Sequence, residues 1–285
     1  MKYRLLSFCT AVLLLISMIS VPRIEAANST ETFKDSADTK IVKLLEALGL
    51  MEIDSETGFF WDEMPVKRSE LAKIICKMFN ISETKDASPH FTDVSDYDRA
   101  YIETAIRNGY MSGYDNEKFG PDDYVTNIQL IKTFVTALGG DAAAQSQGGY
   151  PGGYITIGNM LGLLKGKAVA NENISRRIDV ANIIYTALHA DVLEIAGSVG
   201  NNINYKTVEG YTFLTEKRNI YRVKGIIRQN EATSLNRDNG LGEGNVKIGT
   251  EIYCDDKHLT DDYLGCNVEC YVAIPKGDSV GKIFY

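Results

Sequence analysis

The segment "SGYDNEKFGPDDYVTNIQLIKTFV" (residues 112–135) runs from a loop rich in glycine, aspartate and proline directly into an amphipathic helix. The apolar positions after the loop recur at the spacing of one helix face: Leu130, Ile131, Phe134, Val135 and Leu138. Thr126 precedes this face, and Gln129 lies three residues after Thr126. This spacing is the pattern of a capping box. The segment therefore predicts a polar loop above the N-terminus of a helix that begins after Thr126.

The same helix occurs three times along the chain. Its sequence "VTNIQLIKTFVTAL" (125–138) aligns without a gap with "VKRSELAKIICKMF" (66–79), and "SRRIDVANIIYTAL" (175–188) is a weaker third copy. Each copy follows another amphipathic segment, and these segments are 33–53, 91–113 and 154–166. Because one helix–loop–helix unit cannot bury its own apolar stripe, we expect the three units to pack together with the second helices at the centre.

The repeated motifs resemble those of the S-layer homology family. The second unit carries "FTDV" (91–94), "GYMSGY" (109–114), "FGP" (119–121) and "VTNIQ" (125–129). The first unit carries "FKDS" (33–36) and "VKRSE" (66–70), and the third carries "SRRID" (175–179). The resemblance covers residues 33–190 and implies three repeats that form a helical bundle with pseudo-threefold symmetry.

We therefore expect an α+β multidomain chain, in which this pseudo-threefold bundle precedes a small, mostly β C-terminal module. The expected boundaries are a signal peptide (1–27), repeat 1 (28–90), repeat 2 (91–140), repeat 3 (141–195), a linker (196–212) and the β module (213–285). Alternating apolar residues between Gly, Asn and Asp turns predict strands at 221–228, 245–249, 251–254, 267–274 and 281–285. These strands are expected to form a small sheet or an open barrel.

The N-terminal residues have the layout of a secretory signal peptide. Lys2 and Arg4 precede a mostly apolar run at 11–21, and the small residues Ala26 and Ala27 follow it. The run is short for a membrane span, which needs about 20 residues. The net charge of −8 and the absence of a basic patch argue against a nucleic-acid partner. We expect an exported protein of the cell wall or S-layer, with no transmembrane segment after signal cleavage.

The resemblance also implies non-covalent attachment to the bacterial cell wall through a secondary cell wall polysaccharide that carries pyruvylated sugars. A pyruvyl ketal contains a carboxylate, so its site needs a cation, main-chain N–H groups at a helix N-terminus and side chains that bind hydroxyl groups. The repeated turn is expected to supply them, with the N–H groups at the helix starts assisting the arginines. The candidate glycan-binding residues are Arg68, Glu70, Gly113, Tyr114, Asn127, Gln129, Arg177 and Asp179.

The second repeat departs from the family pattern, since Asn127 stands in place of arginine and Gln129 in place of glutamate. Two alternatives therefore remain open. Arg68 and Arg177 can be surface arginines that pair with nearby acids, and the residues at the acid position of the turn can be first-turn helix stabilisers. The repeats can also have lost glycan binding and serve as a structural module that contacts other envelope proteins.

The cysteines Cys76, Cys254, Cys266 and Cys270 do not form a dense disulfide framework. A cross-strand disulfide involving Cys254 and buried free thiols are both compatible with their spacing. A zinc site that adds His258 is disfavoured, because Cys266 and Cys270 on one extended strand would lie about 13 Å apart.

Catalysis has little support in the sequence. None of His90, His189 and His258 lies beside a recognisable nucleophile motif. We predict no cofactor and no metal, and a protein that is not an enzyme. A wall-modifying enzyme is the remaining alternative, and it would require a deep pocket with converging acids or histidine in residues 205–285.

Overall fold

The computed structural model describes residues 39–81, 91–164, 171–199, 202–236, 239–275, 277–278 and 280–285. The expected signal peptide, the "FKDS" opening of the first repeat and His90 lie outside these residues. The chain is α+β, as expected, with a helical N-terminal part and a β C-terminal region. Among the described residues, no helix combines the length and the apolar character that a membrane span requires.

The helices of the described part are α1 (Thr39–Ala47), α2 (Arg68–Met78), α3 (Asp96–Arg107), α4 (Asn127–Ala137), α5 (Asp141–Ser146), α6 (Gly152–Met160), α7 (Arg177–His189) and α8 (Phe213–Arg218). The strands are β1 (Asp191–Val199), β2 (Asn202–Thr212), β3 (Ile220–Gln229), β4 (Asn245–Ile248), β5 (Glu251–Cys254), β6 (Asn267–Ala273) and β7 (Lys282–Ile283). We call residues 39–81 unit 1, residues 91–138 unit 2 and residues 152–189 unit 3; each contains two helices and an intervening loop.

Local sequence signals account for the helix ends. Thr126 and Gln129 form the expected capping box at the start of α4, with each side chain accepting a hydrogen bond from the other residue's main chain. The first helix of every unit is followed by a glycine in the left-handed region, with φ of 67° at Gly49, 74° at Gly109 and 75° at Gly162. Glycine adopts this conformation without steric cost, so it reverses the chain at the same place in each unit.

A ring of three main-chain hydrogen bonds joins the units just before their second helices. The N–H of Val66 donates to the carbonyl of Ser175 (3.4 Å), that of Ser175 to Val125 (2.8 Å), and that of Val125 to Val66 (2.9 Å). All three residues are buried. Each unit therefore satisfies a buried polar group of the next one, and the third unit closes back on the first.

The second helices form the centre of the bundle, as expected. Six residues are buried on α4, at positions that run around the helix rather than along one stripe: Ile128, Leu130, Ile131, Thr133, Phe134 and Val135. Helices α2 and α7 are buried in the same way. A helix that is apolar on most sides is stable only inside the protein, which explains why these three are surrounded by the remaining helices.

The chain between bundle and barrel differs from the expectation of a linker at 196–212. Strands β1 and β2 pair antiparallel as a two-stranded ribbon that occupies most of this segment. The register shifts twice, between Asp191 and Leu193 and between Ile195 and Gly197. These bulges interrupt the alternation of side chains that identifies a strand in sequence.

The C-terminal strands form a closed barrel in the order β3–β4–β5–β7–β6, with β6 pairing back to β3. All five expected strand segments are confirmed, and the closure replaces the expected sheet or open barrel. The barrel has its own small core of six buried residues: Ile227, Val246, Ile248, Cys270, Val272 and Ile283. One end of it, including Ile220 and Tyr271, joins the larger core of the bundle.

His189, the last residue of α7, connects the two parts. Its Nδ1 lies 2.7 Å from the carbonyl oxygen of Tyr185, and its Nε2 lies 2.8 Å from the hydroxyl of Tyr271 on β6. Because a carbonyl only accepts, Nδ1 carries the proton in the neutral ring and Nε2 accepts from Tyr271. Burial lowers the pKa of His189.

We expect Ile131→Ala to lower the free energy of unfolding by about 2–5 kcal/mol, because the substitution leaves a cavity in a close-packed core. Ile131 is fully buried, whereas Ile174 is 52% exposed. Ile174→Ala is therefore the matched control, and its effect should stay within about 0.5 kcal/mol. Urea unfolding measures both, and equal effects would contradict the assigned core.

We also expect stability to depend on pH through His189. Its pKa in the folded protein lies below the ordinary value of 6.5, so the unfolded chain takes up this proton at a higher pH than the folded protein. The contribution of neutral His189 is complete above the unfolded pKa and is lost as the pH falls through the folded pKa. His189→Gln should flatten this part of the curve of unfolding free energy against pH, and an unchanged slope would contradict the assignment.

Candidate functional site

The candidate residues lie at three junctions, where the turn before one second helix meets the loop of the next unit. At the 1–2 junction, turn 65–68 of unit 1 meets loop 110–123 of unit 2. At the 3–1 junction, turn 174–177 meets loop 50–64. At the 2–3 junction, turn 124–127 meets residues 171–173. Main-chain bridges join the turns in a cycle: Pro65 with Arg176, Lys67 with Tyr124, and Thr126 with Ile174.

The 1–2 junction buries Arg68, which is only 5% exposed. Its Nε donates to the carbonyl of Phe119 (3.1 Å) and its Nη2 to the carbonyl of Ser112 (2.7 Å). The guanidinium also lies over the rings of Phe119 and Tyr114, with its carbon 4.5 Å and 4.7 Å from the two ring centroids. The interpretation of Arg68 as a surface arginine paired with an acid is therefore wrong.

Carbonyl dipoles and aromatic rings stabilise the charge of Arg68, and no counter-ion among the described residues neutralises it. Within the described residues, no carboxylate forms an ion pair with its guanidinium. Burial lowers the pKa of Arg68, with Asp123 and Asp93 among the more distant charges that oppose this effect. The side chain is thus a fixed, partly desolvated cation, and such a cation attracts an anion more strongly than a solvated one does.

Gly113 and Tyr114 shape the loop that holds Arg68. A Cβ on Gly113 would lie 2.5 Å from Cε1 of Phe91 and 2.9 Å from the carbonyl oxygens of Asp115 and Lys118, so no larger residue fits there. Tyr114 is 57% exposed and presents its ring at the surface above the arginine. The structure thus assigns Gly113 to the loop fold and Tyr114 to the rim of a cavity.

This cavity of the 1–2 junction has a volume of about 190 Å³. It is lined by Arg68, Leu71, Tyr110, Met111, Ser112, Gly113, Tyr114, Val125, Gln129, Lys132, Thr133 and Tyr150. Four of the eight predicted residues are therefore brought together, namely Arg68, Gly113, Tyr114 and Gln129. The lining contains two cations and no carboxylate.

Lys132 and Tyr150 were missed by the sequence analysis. The Nζ of Lys132 lies 5.9 Å from the ring centroids of both Tyr150 and Tyr154. The equivalent Lys73 of unit 1 lies over Tyr97 and Tyr101, at 5.7 Å and 6.0 Å. The repeat alignment places Lys73 and Lys132 at the same position, so the repetition of this lysine is the signal in the sequence that points to it.

The 3–1 junction repeats the geometry of the 1–2 junction around Arg177. Its Nη2 donates to the carbonyl of Glu52 (2.9 Å), which is the third residue after the left-handed glycine, as Ser112 is in unit 2. Its guanidinium carbon lies 4.9 Å from the ring centroid of Phe60. Here, however, Nη1 also pairs with the carboxylate of Glu70. Arg177 therefore pairs with a nearby acid, which is the alternative to a ligand contact that the sequence left open.

The cavity beside Arg177 is acidic. Its volume is about 580 Å³, and four of its lining residues are acids: Glu52, Asp54, Glu56 and Glu70. Arg177 is the one cation among the lining residues. An incoming carboxylate would meet a paired arginine and an excess of negative charge.

In the described part of the 2–3 junction, Asn127 is hydrogen-bonded to amide and hydroxyl groups of the protein. Nδ2 of Asn127 donates to Oδ1 of Asn171 (2.9 Å), and its Oδ1 accepts from the hydroxyl of Ser175 (2.8 Å). Asp179, the remaining candidate, accepts from both Nε and Nη2 of Arg176, at 2.8 Å and 3.0 Å. The structure thus gives both residues partners inside the protein.

The first two N–H groups of each second helix have partners inside the protein. The expectation that N–H groups at the helix starts assist the arginines in binding a ligand is therefore wrong for these donors. The first N–H of each second helix donates across a junction: Arg68 to Asp123, Asn127 to Asn173, and Arg177 to Met64. The second N–H does the same: Ser69 to Pro121, Ile128 to Asn171, and Ile178 to Asp62. These donors therefore join neighbouring units to one another.

The barrel contains a further cavity of about 570 Å³, lined in part by Cys266, Glu269 and Cys270. Glu269 is paired with both Arg222 and Lys224. The four described cysteines are free thiols, so the cross-strand disulfide considered for Cys254 is absent among them. Burial raises the pKa of Cys270 to about 11.

Repeated units that each contact their neighbours define a repeat protein. Residues 90–130 match the S-layer homology domain, which confirms the resemblance drawn from the motifs. The middle cell wall protein of Brevibacillus brevis is 23% identical over 300 residues, covering 95% of this chain and 27% of that protein. The surface layer protein of Brevibacillus choshinensis is 26% identical over 187 residues, covering 63% of this chain and 16% of that protein.

The chain thus spans 27% and 16% of the lengths of the two curated relatives. Together, the domain match and the relatives indicate a location at the cell surface and support a general role in cell-wall anchoring.

We expect Gly113→Ala to destabilise the protein by about 1–3 kcal/mol, because the new methyl group overlaps Phe91 and two carbonyl oxygens. Gly152 is the matched control, since a Cβ there meets nothing within 4 Å. Gly152→Ala should leave the midpoint of thermal unfolding unchanged or slightly raised. A loss of stability in Gly152→Ala equal to that in Gly113→Ala would contradict the assigned loop packing.

Proposed function

We propose that the chain anchors a surface protein to the cell wall by binding an anionic, pyruvylated secondary cell wall polysaccharide in the cavity of the 1–2 junction. The proposal rests on a difference in charge between the 1–2 and 3–1 junctions. Arg68 shares its cavity with the neutral Gln129, whereas Arg177 is paired with Glu70, which the repeat alignment places at the same position as Gln129. The 1–2 junction thus keeps a buried cation whose charge a ligand carboxylate can neutralise.

Electrostatics favours this cavity over the other two junctions. Arg68 and Lys132 supply two positive charges to it, and its lining has no acid. The 3–1 cavity carries four acids beside Arg177, and the 2–3 junction has amides in place of an arginine. A charge-assisted hydrogen bond to a carboxylate contributes about 1.5–3 kcal/mol, so this difference is large enough to select one junction.

The rest of the cavity suits a sugar ring. Tyr110, Tyr114 and Tyr150 line it, and Tyr114 and Tyr150 are 57% and 48% exposed. Aromatic faces pack against the apolar faces of sugars, while hydroxyl groups orient the ring through hydrogen bonds. Gln129 Oε1 already accepts from the main-chain N–H of Thr126, so its amide NH₂ is the group that would reach a sugar hydroxyl.

We further propose that the three junctions are related by a pseudo-threefold operation. The ring around Val66, Val125 and Ser175, and the repeated contacts of Arg68 and Arg177, support this arrangement. In this view the same site occurs three times, and only the 1–2 junction has kept an arginine without a paired acid.

A second candidate function is a structural module that contacts other envelope proteins without binding glycan. It is favoured by the 3–1 and 2–3 junctions, where Arg177 is paired with Glu70 and Asn127 is hydrogen-bonded to Asn171 and Ser175. Under this second candidate, the 1–2 cavity does not bind the polysaccharide, and substitutions in the cavity leave binding to cell walls unchanged.

We expect Lys132→Ala to weaken binding to cell walls by about tenfold, because it removes one of two cations from the cavity. Lys73→Ala is the matched control, since Lys73 of unit 1 lies over Tyr97 and Tyr101 in the same way and is not among the lining residues. Co-sedimentation of the full chain with pyruvylated walls, before and after acid extraction of the polysaccharide, measures both variants. Binding that survives extraction would support the second candidate instead.

We expect Gln129→Glu to reduce binding to the same walls, because it places beside Arg68 the acid that Glu70 supplies to Arg177. Glutamate is also compatible with the third position of the capping box, so the helix should remain intact. The reciprocal Glu70→Gln should leave binding at or above the level of the native chain. Unchanged binding in Gln129→Glu would show that the charge balance of this cavity does not determine anchoring.

A further inference from the structure

Three potential metal ligands from two separate loops of the barrel meet at its surface. Glu231 follows β3, and His258 and Asp261 lie between β5 and β6. The Nδ1 of His258 lies 3.1 Å from Oδ2 of Asp261 and 3.7 Å from Oε2 of Glu231. The three ligand atoms all lie within 4.8 Å of one another.

The loop that carries His258 is held in place by a buried carboxylate. Asp255 is 3% exposed, and its side chain accepts hydrogen bonds from the N–H of Leu259 (2.9 Å), the N–H of Thr260 (2.8 Å) and the hydroxyl of Thr260 (2.6 Å). The N–H of His258 donates to the carbonyl of Asp255 (3.0 Å). The chain on both sides of the imidazole is therefore fixed before any ligand binds.

His258 itself has an unusual backbone conformation, with φ of 54°. A residue with a Cβ adopts this left-handed region at an energetic cost, and such residues concentrate at functional sites. The conformation turns the chain at His258, between Asp255 and Asp261. Glu231 is oriented from the other loop, because its Oε2 accepts from the N–H of Gly244 (3.1 Å).

From this geometry we propose that Glu231, His258 and Asp261 form a binding site for a divalent transition-metal ion such as Zn²⁺. Ligand atoms at about 2.0–2.2 Å from a tetrahedral zinc ion lie roughly 3.4 Å from one another, and the separations of Nδ1 from the two carboxylates bracket that value. An imidazole nitrogen with two carboxylate oxygens suits zinc and its neighbours, whereas Ca²⁺ and Mg²⁺ prefer oxygen ligands alone.

The site is open to solvent on one side. The side chains of Glu231, His258 and Asp261 are 33%, 45% and 45% exposed. An ion can therefore enter directly, and water completes its coordination. By joining the loop after β3 to the loop before β6, the ion would connect two segments that are far apart in the chain and would stabilise this end of the barrel.

Isothermal titration of the full chain with ZnCl₂ tests the proposal. We expect one ion per chain at this site, and a loss of affinity of at least about tenfold in His258→Asn and in Asp261→Asn. Asparagine tolerates a positive φ, so His258→Asn removes the imidazole without a change of backbone. Asp262→Asn is the matched control, because Asp262 is the adjacent exposed acid and lies outside the cluster.

A cobalt spectrum separates this site from binding by thiols. Cys254 and Cys266 are partly exposed and could also take up zinc. Co²⁺ held by Glu231, His258 and Asp261 should lack the thiolate charge-transfer band, and Cys254→Ser should leave its spectrum unchanged. A thiolate band lost in that variant would assign the binding to the cysteine and overturn the proposal.

The remaining outcomes are equally decisive. Zinc binding of equal strength in native chain and His258→Asn, no binding by the native chain, or an equal loss in Asp262→Asn would each overturn the site. Displacement of zinc by excess CaCl₂ would show that the carboxylates alone hold the ion and would contradict the transition-metal assignment. A midpoint of thermal unfolding that rises with ZnCl₂ in the native chain, but not in Asp261→Asn, would support it.

Discussion

The cyclic hydrogen bonds among Val66, Val125 and Ser175 determine the architecture of the bundle. Each bond gives a buried main-chain group its hydrogen-bond partner. Separation of any one unit would therefore leave a polar main-chain atom without a partner. Two residues after each ring residue, the first N–H of the second helix donates to a carbonyl of the next unit. The turns before the three second helices are therefore held together by the ring.

The three junctions differ in the charges of their side chains. One junction buries Arg68 beside a neutral glutamine, the next balances Arg177 with Glu70, and the third replaces the arginine with Asn127. The backbone contacts of the two arginines are nearly the same, so the differences in charge follow from single residues. A repeat fold thus permits the same position to carry a different charge at each junction.

Much of this fold could be predicted from sequence, because the signals are local. The capping box at Thr126, the left-handed glycines and the barrel strands all depend on residues close together in the chain. The burial of Arg68 could not be predicted in this way, since its partners Ser112 and Phe119 belong to another unit. The ribbon of β1 and β2 was missed because two register shifts break its alternation.

A crystal structure of the full chain with a pyruvylated disaccharide would locate the bound carboxylate. We expect the pyruvyl carboxylate to lie in the 1–2 cavity, within hydrogen-bonding distance of Lys132 or the guanidinium of Arg68, with the sugar ring against Tyr114 or Tyr150. A carboxylate bound instead beside Arg177, with Glu70 displaced, would contradict the argument that charge balance selects the junction.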